Sequence, residues 1–230
     1  IVVGAGSAGC VVANRLSADP KNRVLLLEAG GKDRNPWIHV PVGYYRTMYH
    51  PDISWGYETE PDAGVNDRVM VWPRGRVLGG SSSINGLLYV RGQHQDYDHW
   101  RQLGNEGWGW DDVLPFFKKS ESYERGGNDF RGGDGPLSVS DIADRRPVCE
   151  AFLDACEEVG IPRNEDYNGA VQDGAGYYQT TSRNGRRCSA AEPGQKPEEP
   201  AYRDPCPRLE SGNDGRARER HYLSARRYRI

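Results

Sequence analysis

The first 30 residues constrain this chain more than anything that follows them. Ile1-Val2-Val3 is a short apolar run that passes directly into Gly4-Ala5-Gly6-Ser7-Ala8-Gly9. Beyond the glycines, Val11, Val12 and Leu16, with the small Ala8 and Ala13, fall at helical spacing until Asp19-Pro20 stops the helix. Arg23-Val24-Leu25-Leu26-Leu27 is then continuously apolar, as a parallel strand covered on both faces is, and it ends in Glu28. Strand, glycine turn, helix, strand and acid make a βαβ unit, with residues 1–3 expected as a buried strand.

Each glycine has a mechanical role at this spacing. Gly4 permits the tight turn, Gly6 lets a pyrophosphate approach the backbone with no Cβ in the way, and Gly9 permits close contact between helix and strand. The phosphates then meet the helix N-terminus, where unpaired N–H groups and the dipole favour negative charge. Glu28, placed to take both hydroxyls of a ribose, argues against a 2′-phosphate. On these residues alone, FAD and NAD both remain.

The second informative segment is Arg74-Gly75-Arg76-Val77-Leu78-Gly79-Gly80-Ser81-Ser82-Ser83-Ile84-Asn85-Gly86-Leu87-Leu88-Tyr89-Val90-Arg91-Gly92. A glycine pair followed by three serines predicts a backbone-donor loop running into a second helix, capped by one of Ser81, Ser82 or Ser83. An extended FAD needs such a second helix N-terminus; a capped helix in an ordinary core is the equal alternative. The Gly-x-Ser-x-Gly elbow of a serine hydrolase is not present in this segment.

Residues 75–98 resemble the signature of the glucose–methanol–choline oxidoreductases, flavoenzymes that oxidise alcohols. Gly75-Arg76, Leu78-Gly79-Gly80-Ser81-Ser82, Ile84-Asn85, Tyr89, Gly92 and Asp98 stand at the matching spacing. The opening glycines with Cys10, and Glu28-Ala29-Gly30, are similar to the same family's FAD fingerprint. Trp55-Gly56-Tyr57 and Trp72-Pro73-Arg74-Gly75 look like its connecting segments. The resemblance covers residues 1–191 and is nearest the choline-dehydrogenase-like branch.

The resemblance implies that Gly4, Gly6, Ser7, Ala8 and Gly9 cradle the pyrophosphate, and that Glu28 holds the adenosine ribose. It further implies that Val77, Gly79, Gly80, Asn85, Gly86, Leu87 and Leu88 line the flavin side. Some members tether the flavin through a histidine just before the asparagine. Ile84 stands there and cannot make that bond, so FAD is expected to be noncovalent. The implied chemistry is hydride transfer from a small-molecule alcohol to flavin N5, with a histidine base that the family carries in its C-terminal part. None of His39, His50, His94, His99 or His221 matches that motif, so no catalytic residue is assigned, the chain is expected to be an incomplete, inactive fragment, and no motif names the electron acceptor. The alternatives are a noncatalytic flavin-binding remnant and, with less support, an NAD-dependent dehydrogenase.

The expected architecture is therefore α/β. A Rossmann-type FAD-binding βαβ domain spans residues 1–92, and the start of an α+β substrate domain spans 93–191. In the second part, helices are expected at 96–103, 111–120 and 146–159, with strands at 135–139 and 177–181. Cys149 and Cys156 fall on one face of the last helix and are expected in the core, with Trp100, Trp108 and Trp110 at a domain interface.

Residues 192–230 are different in kind. Leu209, Leu223 and Ile230 are their only large aliphatics, among Pro193, Pro197, Pro200, Pro205 and Pro207. Three such side chains do not offset ordering 39 residues at about 1–2 kcal/mol each, so a truncated, disordered tail is expected. The abrupt change after Ala191 reads as a shift of reading frame. Acidic residues interleave with the arginines of this tail and the net charge is −3, which speaks against a nucleic-acid partner. His94 and His99 are not spaced as a metal pair, and no Cys-x-x-Cys occurs, so no metal site is expected. Five scattered cysteines and no apolar run of transmembrane length suggest a cytoplasmic protein, with an original N-terminus lost before Ile1.

Overall fold

The computed structural model describes residues 1–191 and the backbone of Arg226–Arg229. These residues divide into two compact units, the first holding Ile1–Gly86 and the chain from Arg186, the second Leu87–Gly185. The serine-rich segment is thus shared, with Asn85 and Gly86 in one unit and Leu87 and Leu88 in the other.

The first unit begins with β1 (Val2–Val3), α1 (Ser7–Ser17) and β2 (Leu25–Glu28). The strands pair in parallel, Val2 opposite Leu26 and Val3 opposite Leu27. Ala5, Ala13, Val24 and Leu26 form the buried cluster beneath α1. The expectation of a buried first strand is corrected, because Ile1 is 86% and Val3 81% exposed. β1 has a neighbour on one side only among the described residues, and its outward side chains have nothing packed over them. For the same reason β2 is not covered on both faces: Leu26 and Glu28 are buried while Leu25 and Leu27 are half-buried.

One-turn helices α2 (Pro36–His39) and α3 (Tyr44–Thr47) follow, then the hairpin strands β3 (Tyr57–Glu58) and β4 (Val71–Trp72). Asn35 caps α2, its Oδ1 accepting from Trp37 N, and Pro36 stands in the first turn, where a missing N–H costs nothing. Ile38, Ile53, Val77 and Ile84 make this unit's second apolar cluster.

The second unit carries α4 (His94–Gln102), α5 (Trp110–Ser120), β5 (Glu121–Tyr123), β6 (Leu137–Val139), α6 (Pro147–Glu158) and β7 (Ser182–Arg183). Asp96 and Asp112 each accept a backbone N–H ahead of their helix, at 2.7 Å from Gln93 and 3.1 Å from Gly109. β5 and β6 run parallel, with Tyr123 opposite Val139. The three helices and the strand at 137–139 stand where the pattern placed them. A strand at 177–181 does not form: Thr180 contributes isolated bridges to Leu88 and Ser140. Cys156 is buried but Cys149, a turn or more before the covered part of α6, is exposed. Trp110 is buried, whereas Trp100 and Trp108 are 45% and 54% exposed.

The second unit's interior is polar to an unusual degree. Glu121, fully buried, meets Arg91 at 2.6 Å and Arg131 at 2.5 Å, and Arg131 reaches on to Asp166 at 2.5 Å. Gln179 and Asn168 complete the buried network. Low dielectric strengthens such bonds and penalises any member left without its partner.

The chain returns to the first unit with β8 (Arg186–Arg187), and β9 (Arg226–Arg229) pairs antiparallel with β2, Leu26 opposite Tyr228. The expectations of disorder and of a frame shift concern 192–230, which, apart from β9, lie outside the described residues.

Candidate cofactor site

The glycine loop links β1 to α1. Gly4 takes φ +91°, which a side chain would strain, and its N–H donates to Leu27 O at 2.7 Å. Gly6 caps α1 without a side chain, and Cys10 N donates to Gly6 O at 3.0 Å to begin the helix. A Cβ on Gly9 would lie 1.8 Å from Gly4 O, so helix and strand touch only because Gly9 has none. A Cβ on Gly6 would meet nothing within 4 Å. The packing glycine and the glycine facing open space are therefore different residues.

Glu28 ends β2 with its carboxylate turned under the loop. Oε2 accepts from Ala5 N at 2.7 Å and Oε1 from Gly30 N at 2.9 Å, with the residue 6% exposed. Each carboxylate oxygen keeps a second lone pair for a ribose hydroxyl. Ala5 O is shared as well, accepting from Gly79 N at 2.8 Å and from the Cys10 thiol at 3.2 Å. Burial, the largest influence on it, pushes the Cys10 thiol up, so it stays protonated as this bond requires.

Through Ala5 the second motif lies against the first. Val77, fully buried, pairs with Gly31, and Leu78 N donates to Gly31 O at 2.9 Å. Gly79 and Gly80 take φ +87° and +56°, and a Cβ on Gly80 would come within 2.7 Å of Gly6 Cα. Two backbones approach here to a distance that side chains would forbid.

The expected second helix is corrected to a single 3-10 turn, Gly80–Ser83, with no side-chain cap. The serines turn back on their own loop. Ser82 Oγ donates to Gly79 O at 2.6 Å, Ser83 Oγ donates to Leu78 O at 2.8 Å, and Ser81 Oγ accepts from Gly75 N at 3.1 Å. Such bonds compete with the helix, and Leu87 at φ +65° ends any continuation. Ile84 is buried in the Ile38 cluster, Asn85 is exposed, Leu87 is buried and Leu88 exposed.

The sequence reading missed Arg187. It is 1% exposed and donates to Ile38 O at 2.7 Å, Asn85 Oδ1 at 2.6 Å, Asn85 O at 2.7 Å and Ser82 O at 3.2 Å. No local signal marks it, because these partners lie 102 to 149 residues away in the chain.

The GMC oxidoreductase family model matches residues 1–194. The chain belongs to the GMC oxidoreductase family. This GMC chain is 49% identical over 192 residues to an alcohol dehydrogenase [acceptor] of Pseudomonas putida, covering 83% of this chain and 35% of that one. It is 48% identical over 198 residues to the mitochondrial choline dehydrogenase of Mus musculus, covering 83% and 33%. Among solved structures it is similar to pyridoxine 4-oxidase from Mesorbium loti, with TM-score 0.79, 39% identity, and coverage of 84% of this chain and 38% of that one. The chain spans about a third of the length of these curated relatives. Among the described residues, no helix is long and apolar enough to cross a membrane.

Proposed function

We propose that this chain is the dinucleotide-binding part of an FAD-dependent oxidoreductase acting on the CH–OH group of a small-molecule alcohol. The observation that carries the reading is the Gly79 N to Ala5 O bond of 2.8 Å, which sets the serine-rich loop beside the glycine loop. One loop with an acid suits any dinucleotide; two abutting glycine loops suit the longer FAD.

The residues fit that group. Gly6 faces open space at the α1 N-terminus, Glu28 presents a buried carboxylate, and Gly80 packs against Gly6 so that the two loops abut. In this reading Gly4, Gly6, Ser7, Ala8 and Gly9 hold the pyrophosphate, Glu28 the ribose, and Val77, Gly79, Gly80, Asn85, Gly86, Leu87 and Leu88 the flavin side. When bound, FAD supplies the hydride acceptor for alcohol oxidation. The chain's own residues bind and orient it: backbone N–H groups offset phosphate charge, and Gly6, which has open space where a side chain would stand, admits it at close range. FAD is held without a covalent bond, since Ile84 stands in the apolar cluster and has no nucleophilic atom.

No residue of this chain is assigned as the base. His50 accepts from Asp52 N at 3.2 Å and His94 stacks on Trp110 with ring centroids 4.0 Å apart, both local arrangements. Quenching of FAD fluorescence on titration with the protein, with no matching response to NADH, is the expected result. The reverse preference would overturn the reading.

A further inference from the structure

Cys10 stands in the first turn of α1 and holds two consecutive carbonyls of the glycine loop. Its N–H donates to Gly6 O at 3.0 Å and its thiol to Ala5 O at 3.2 Å, all within the first unit. Ala5 O accepts from Gly79 N as well, at 2.8 Å, and Ala5 is fully buried, so that carbonyl has no water to turn to. Those two carbonyls belong to the two peptide planes that flank Gly6. No peptide bond among the described residues is cis, and in a trans peptide the N–H points opposite the carbonyl. With Ala5 O and Gly6 O turned toward Cys10, the N–H groups of Gly6 and Ser7 are directed away from it. Among the described residues neither meets an acceptor, and a Cβ on Gly6 would find nothing within 4 Å.

We propose that Cys10 is a positioning residue for the FAD pyrophosphate: by holding the carbonyls on either side of Gly6, it presents the Gly6 and Ser7 N–H groups together to a phosphate. The inference rests on the FAD reading above and adds a residue to it. Glycine is the residue whose flanking planes turn most freely, so without a restraint the arriving anion must order them itself, at a loss in affinity. Any residue at position 10 supplies the backbone bond to Gly6 O. The bond to Ala5 O comes from the side chain, which packs against the Ala5, Ala13, Val24 and Leu26 cluster and is fixed there. Cys10 does not touch the cofactor in this scheme. It acts through Ala5 and Gly6.

The test uses three variants of the 230-residue chain, each titrated with FAD well below its melting temperature so that only folded protein is read. Cys10→Ser keeps a donor, Cys10→Val fills similar space without one, and Cys10→Ala removes both. Loss of one hydrogen bond that orders the loop should weaken FAD about fivefold in Cys10→Val and Cys10→Ala, while Cys10→Ser stays within about twofold of the parent. Parent-like affinity in Cys10→Val would overturn the proposal, and so would a loss in Cys10→Ser equal to that in Cys10→Val. The cofactor-free protein supplies a second readout, amide NMR during titration with inorganic pyrophosphate. The Gly6 and Ser7 resonances should shift together and steeply in the parent and in Cys10→Ser. In Cys10→Val they should already be displaced without the anion and respond more weakly to it; resonances and response equal to the parent's would overturn the proposal. Failure of the parent chain to bind FAD would sink the FAD reading itself, whereas binding by the parent with equal affinity in Cys10→Val sinks this proposal alone.

Discussion

The Glu28 carboxylate accepts the Ala5 amide at 2.7 Å, so the acid proposed to take a ribose holds the glycine loop in shape. Its other oxygen holds Gly30 N at 2.9 Å. Glu28→Ala therefore removes more than a cofactor contact. It leaves two backbone donors without their acceptor in a buried position, at about 1–3 kcal/mol for each such group. Urea unfolding of the cofactor-free variant should show a loss of that order, alongside weakened FAD binding. Unaltered stability without FAD would show that the two backbone bonds contribute little.

Gly6 and Gly9 should separate binding from folding. An alanine at Gly9 places its methyl 1.8 Å from Gly4 O, so α1 must move off β1. Overpacking of this kind costs about 1–3 kcal/mol, and Gly9→Ala should lower the melting temperature accordingly. An alanine at Gly6 meets nothing within 4 Å and should leave the cofactor-free protein's melting temperature near that of the parent. In the proposed site its methyl projects into the space assigned to the phosphates, so FAD affinity should fall at least tenfold. Thermal melts paired with fluorescence titrations read both quantities.

The glycine loop was legible because its constraints are local: strand, turn, helix and acid follow one another within 30 residues. Glu28 was legible as the acid that closes the βαβ unit, but its bonds to Ala5 and Gly30 were not, since spacing says nothing of where a side chain turns. The serine-rich segment was legible as a glycine-pair loop and misread as the start of a helix. Serine hydroxyls that cap a helix also close tight loops on themselves, and the left-handed backbone of Leu87 is not readable from a leucine. Ile1 and Val3 were misread as buried because apolar residues state a need for cover, not its source. Arg187, Glu121 and Arg131 were invisible for the opposite reason. Charged residues are usually exposed, and their partners here lie 10 to 149 residues away.

The buried charges of the second unit carry their own expectation. Arg131→Met leaves Glu121 with Arg91 as its remaining cation and removes the link to Asp166 and Gln179. Breaking a buried pair from one side costs about 3–5 kcal/mol, because the remaining charge stays desolvated. Denaturant unfolding followed by tryptophan fluorescence, with Trp110 in this unit, should show a loss of that size. A change below 1 kcal/mol would mean that water reaches Glu121 when Arg131 is removed.

At the surface of the same unit, Arg163 donates to Glu150 at 3.1 Å and Tyr177 OH donates to it at 3.0 Å. The Arg163 bond first and the Tyr177 bond second hold the Glu150 carboxyl below the usual carboxylate range. With the folded pKa lowered, the contribution to stability is present above the ordinary glutamate range and fades as pH falls through the lowered value. Side-chain carbon NMR should find the Glu150 midpoint below that of a model glutamate. Arg163→Ala should move it upward, and an unmoved midpoint would exclude Arg163 as the cause.

Ile84 is the test of how FAD is held. A covalent tether needs a nucleophilic atom near the flavin, and this position instead offers a hydrocarbon side chain, 2% exposed and packed with Ile38, Ile53 and Val77. Acid precipitation of the FAD-loaded protein should therefore release the yellow colour into the supernatant, because only noncovalent contacts are lost on unfolding. Ile84→His places a polar ring in an apolar cluster, which costs about 1–3 kcal/mol when no hydrogen-bond partner is found. That variant should be less stable, and its flavin should still be released by acid, since burial turns the ring toward Ile38 rather than outward. Colour retained in the parent's pellet would contradict the noncovalent assignment; colour retained only in Ile84→His would show that the loop can turn residue 84 toward the cofactor.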